Sequence, residues 1–116
     1  MANILSTSRH KNVKLDLTTT YVTKLYECPN LMTTFVSSIL VSEDSGNADT
    51  ITLTLTNGSD VFSIYKDKAI GSKGTVDLIG NDLILVSGDI LKVTAGTANR
   101  LHVIASLVEV PKSTTT

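Results

Sequence analysis

Short apolar runs separated by turn residues fill most of this chain. Between Thr50 and Thr56, Ile51, Leu53 and Leu55 alternate with four threonines. A period of two puts apolar side chains on one face of an extended strand and hydroxyls on the other. Val13–Leu17 alternates in the same way. Asn57-Gly58 predicts a two-residue type I′ hairpin, in which both loop residues need positive φ, and Val61–Tyr65 is the return strand. Thr20–Cys28 is anchored by Val22, Leu25 and Tyr26 and is stopped by Pro29-Asn30. Thr33–Val41 is apolar on both sides. Four further strands are expected at Thr75–Ile79, Leu83–Val86, Ile90–Ala95 and Arg100–Val110. They are punctuated by Gly80-Asn81, Ser87-Gly88-Asp89 and Gly96-Thr97-Ala98-Asn99. Lys66–Lys73 reads as a charged loop with a brief strand at Ala69-Ile70.

No stretch of ten residues holds a helical period, and the strands lie too close together for crossover helices. The pattern predicts an all-β chain: a single antiparallel β-sandwich, jelly-roll-like or immunoglobulin-like, of eight or nine short strands. Residues 1–12 are polar and irregular and read as a flexible N-terminal arm carrying Arg9, His10 and Lys11. Residues 13–110 form the sandwich, and 111–116 a polar C-terminal tail.

The last strand breaks the expected alternation. Leu101, Val103, Ala105 and Leu107 occupy one face, and His102, Ile104, Ser106 and Val108 the other. An outer sheet face is normally polar, so Ile104 and Val108 are apolar where water is expected. Two readings account for this. Either a loop or the arm covers the strand, or Ile104, Val108 and His102 form a subunit interface.

Composition narrows the function classes. A chain of 116 residues makes one domain with an adequate core. Ten Lys plus Arg against eleven Asp plus Glu give a net charge of −1, too weak a field to steer nucleic acid or an anionic membrane. Ser and Thr, about a quarter of the residues, supply the solubility that charge does not. The lone Cys28 forms no internal disulfide, the N-terminus lacks the layout of a signal peptide, and no apolar run approaches a membrane span. Folding in a cytoplasm is expected.

Chemistry is sparse. His10, His102 and Cys28 show no zinc-ligand spacing, and no base is placed beside Cys28. The oxygens of 42–49 lack the order of an EF-hand, which leaves an ion or a glycan there as an open question. Gly71-Ser72-Lys73-Gly74-Thr75 lacks the order of a phosphate loop. Three tyrosines, two phenylalanines and no tryptophan give little for sugars or bases to stack on. No enzyme activity, cofactor or metal is expected.

Leu25-Tyr26-Glu27-Cys28-Pro29, Phe35–Val41, the hairpin Ile51–Tyr65 and Leu83–Val93, with Gly88-Asp89 between its strands, carry a resemblance. Over roughly residues 20–110 the chain resembles the small β-sandwich virion proteins of tailed bacteriophages, with Cys28 where Val is more usual. The resemblance implies a non-enzymatic virion protein, a head decoration (cement) protein binding the major capsid protein or other virion proteins. A neck or tail adaptor of the same fold is the alternative it leaves open. It also implies a virion location and a homo-oligomer, for instance a trimer, with Arg9, His10 and Lys11 on a capsid-contacting arm. A carbohydrate-binding module is a rival of a different class.

Overall fold

A computed structural model describes residues 8–111. Nine strands follow in order: β1 Arg9–Leu17, β2 Thr23–Glu27, β3 Met32–Glu43, β4 Asp49–Asn57, β5 Asp60–Ile70, β6 Thr75–Asp77, β7 Leu83–Leu85, β8 Ile90–Ala95 and β9 Leu101–Pro111. They form two antiparallel sheets. One runs β1-β9-β3-β6, with β7 also on β3; the other runs β2-β8-β4-β5. Among the described residues there is no helix, so the expected all-β sandwich is what the chain forms.

The core lies between the sheets. Val36, Ile39 and Val41 of β3 and Leu101, Val103, Ala105 and Leu107 of β9 face Ile51 and Leu53 of β4 and Leu91 and Val93 of β8. Alternation produces this on β4, β8 and β9, and on β3 a bulge at Ser37 brings Val36 and Ile39 to the same side. The opposite face of the second sheet carries the threonines, with Thr52 beside Thr94 and Thr54 beside Lys92.

Three expectations change. Residues 9–12, read as part of an arm, are the first half of β1, and each pairs with β9, from Arg9↔Glu109 to Asn12↔Ser106. Their side chains are polar because β1 is an edge strand, where charge deters stray pairing. Residues 1–7 of the expected arm, and 112–116 of the expected tail, lie outside the described residues, while Pro111 pairs with Met32 as the end of β9. Lys66–Lys68, expected as loop, is strand and joins the strand expected at Ala69-Ile70. It completes β5 past two register shifts, with Asp67 at a φ of 51° and its N–H donated to Thr52 Oγ1 at 3.1 Å.

The hairpin turn also moves by one residue. Asn57 still pairs, with Asp60, so the loop is Gly58-Ser59 and only Gly58, at a φ of 62°, is left-handed. That is the type II′ pattern, with glycine first. Asn57 is instead held by its side chain, which donates to Asp89 Oδ1 at 2.6 Å and fastens the hairpin to the β7–β8 turn.

Candidate functional site: the outer face of the first sheet

Cross-strand register on β1, β9 and β3 arranges the outer face of the first sheet in rows. One row reads His10, Val108, Phe35, Ile84; the next holds Asn12, Ser106 and Ser38. A third reads Lys14, Ile104, Leu40, Asp77, and a fourth Asp16, His102, Ser42, Thr75. A bulge at Ser37 lets β3 keep Phe35 and Leu40 on the same face despite an odd spacing. Two apolar rows thus flank a hydroxyl row. Ile84 is 56% exposed, Ile104 41% and Leu40 38%. Among the described residues no loop covers Ile104 or Leu40, and the apolar pattern on β9 extends to neighbouring strands.

His102 sits at one end of this face. Its Nε2 lies 3.3 Å from Asp16 Oδ1 on β1, and its Nδ1 3.5 Å from Asp44 Oδ2 just past β3. The imidazole therefore lies between carboxylates of two other segments, beside Ile104. Of the expected contact residues, Ile104, Val108 and His102 share this face. Of the expected arm residues, His10 joins it at the edge. Lys11 projects to the other side of β1, where its Nζ lies 3.6 Å from Glu109 Oε2.

Glu109 belongs to a buried polar cluster that the sequence did not reveal. Its residue is only 3% exposed, and it accepts the phenolic O–H of Tyr26, whose oxygen also lies 2.9 Å from Thr34 Oγ1. Burial first, and the neighbouring Glu109 carboxylate second, push the Tyr26 phenol well above its usual range. Cys28 Sγ adjoins the same Thr34 hydroxyl at 3.3 Å. The only hint in the sequence is Glu109 at a position where alternation calls for an apolar side chain.

The oxygen-rich segment after β3 is organised by its own carboxylate. Glu43 Oε1 accepts the N–H of Lys73 and of Gly46, each at 3.0 Å, and Oε2 accepts the Ser45 N–H at 2.8 Å and the Ser45 hydroxyl. Burial alone would raise this carboxyl. The hydrogen bonds from Lys73, Ser45 and Gly46 outweigh it and lower the pKa from 4.5 to about 2. Glu43 is thereby committed to closing its loop. Among the described residues no group of three His, Cys, Asp or Glu side chains could hold a metal ion.

These features define an antiparallel two-sheet sandwich whose first sheet carries two apolar rows on its outer face and whose second carries Thr52, Thr54 and Thr94, with Val61 and Phe62 exposed on the edge strand β5. The sequence matches no protein-family model and no curated protein. In three dimensions the chain is similar to a chain of the acidic stable capsid of Helicobacter pylori bacteriophage KHP30. The TM-score is 0.56 at 13% identity, over 90% of this chain and 89% of that one. The two share a fold over most of their lengths. Looser superpositions exist with a pentameric capsid protein from metagenomic phage sequences (TM-score 0.45, 19% identity, 95% of this chain and 65% of that one). Another is with the CBM22-1–GH10 modules of the Clostridium thermocellum xylanase 10B (TM-score 0.43, 10% identity, 90% and 27%).

Proposed function

We propose that this protein is a non-enzymatic structural component of a phage virion, acting through protein–protein contacts as a decoration protein on the head. The observation that carries the reading is the apolar outer face at Ile104, Leu40, Phe35, Val108 and Ile84, on a fold shared over most of its length with a phage capsid chain. A face of that kind is unfavourable in water and favourable against a partner. Ile104 and Val108 lie within it, with His102 at one end and His10 on its border. If β6 and β7 are counted as one interrupted strand, eight strands in two four-stranded sheets support a jelly-roll winding. The buried carboxylates hold structure together: Glu43 closes its loop, and Glu109 accepts the Tyr26 hydroxyl.

The test is the copy number of the chain in purified particles, by quantitative mass spectrometry against the major capsid protein. A ratio near that of the capsid protein is the expected result. A few copies per particle would assign it to the neck or tail instead, and absence from particles would end the virion reading.

A further inference from the structure

The two edges of the apolar sheet differ in charge. At one edge β1 presents Arg9, His10, Lys11 and Lys14 with a single acid, Asp16. The opposite edge is β6 and β7, with Asp77 at the end of β6 and Asp82 just before β7, both exposed. The third row of the outer face runs from one edge to the other as Lys14, Ile104, Leu40, Asp77: base, apolar, apolar, acid. The fourth runs Asp16, His102, Ser42, Thr75, an acceptor at one end and a hydroxyl at the other.

We infer that copies of this chain join head to tail through these edges, β1 of one against β6 of the next, with Lys14 meeting Asp77 of the neighbour. Strand direction permits it. β1 is antiparallel to β9, β9 to β3 and β3 to β6, so a second copy added in line puts its β1 antiparallel to β6. The same shift aligns Asp16 with the Thr75 hydroxyl and brings the rows of one copy into line with those of the next. Pairing like edges about a two-fold axis would set the basic β1 against itself, which repels. Because sheets twist at each strand, such head-to-tail contacts close into a ring or wind into a helix rather than extend flat. The inference rests on the reading of this face as an assembly surface, but it concerns self-association of the isolated protein and is tested without particles.

Lys14 is exposed and hydrogen-bonds only along its own strand, Nζ to Asn12 Oδ1 at 2.7 Å, among the described contacts, so reversing its charge leaves the fold intact. Asp77 is less free, since its Oδ1 accepts the N–H of Ile39 at 3.1 Å and of Ile79 at 3.0 Å. The experiment is sedimentation of the full chain at about 100 µM, with circular dichroism to confirm folding. The wild type is expected to associate. Lys14→Glu and Asp77→Lys should each weaken association about tenfold, by replacing attraction with repulsion. Mixing the two variants, or combining both changes in one chain, should restore it, because every junction is again complementary. If Asp77→Lys does not fold, Asp77→Asn keeps the Oδ1 acceptor and should still weaken association several-fold. A monomeric wild type, or a Lys14→Glu chain that associates as well as wild type, would overturn the inference and leave the virion reading to the copy-number test. Failure of the mixture to re-associate when both variants fold would overturn it as well.

Discussion

At the scale of single residues, the carboxylates that matter are the ones turned inward. Glu43 has its folded pKa lowered to about 2 from 4.5. A group with a depressed folded pKa stabilises the fold fully above its unfolded value and loses that contribution as pH falls through the folded one. The chain is therefore expected to lose thermal stability between about pH 4.5 and pH 2. Glu43→Gln should melt lower than wild type at pH 7, and the gap should narrow toward pH 2, as read by melting temperature against pH. Parallel curves for the two proteins would show that Glu43 contributes nothing through its charge. Tyr26 makes a different prediction. Tyr26→Phe removes the O–H that Glu109 accepts and the oxygen beside the Thr34 hydroxyl, and an unpaired buried acceptor costs about 1–3 kcal/mol. Urea unfolding measures this loss, and a neutral substitution would mean that Lys11 alone satisfies Glu109.

At the scale of elements, turn chemistry and edge chemistry decide the details. Gly58 has a φ of 62°, and a Cβ there would meet nothing within 4 Å. Gly58→Ala should consequently destabilise the chain by at least about 1 kcal/mol, through backbone strain alone and with no clash against a neighbour. An unchanged thermal unfolding would contradict the type II′ assignment. β5 shows how an edge strand is managed: it carries Lys66, Asp67 and Lys68, and register shifts interrupt its pairing with β4. Those charges look like loop residues in a linear reading. The same ambiguity hid the start of β1, where Arg9, His10, Lys11 and Asn12 guard an edge and so carry no alternation.

For the whole molecule, the two outer faces divide the labour. The second sheet carries threonines that water can hydrate and exposes Val61 and Phe62 only on its edge strand β5, whereas the first exposes Ile84, Ile104 and Leu40 on three strands. Ile104→Lys with Val108→Lys should leave the monomer folded, because both side chains point away from the core, and should abolish docking onto virion partners. Particle binding by co-sedimentation and circular dichroism together give the readout. An unfolded double variant would place these residues in the core instead of on a contact surface.

Period-two alternation by itself determined the existence of nearly all the strands, the inward set on β4, β8 and β9, and the anomaly at Ile104 and Val108. These are local properties, set by which side of a strand each residue occupies. Only the tertiary structure decided which strands are neighbours. Registering Leu40 and Phe35 beside Ile104 and Val108 turned two odd residues into a face, and closing Tyr26 onto Glu109 across the sandwich built a polar cluster from residues 83 positions apart. It also decided that one sheet ends in bases and the other side of that sheet in acids. Long-range pairing depends on strand order, and alternation along one strand carries no record of which strand lies beside it.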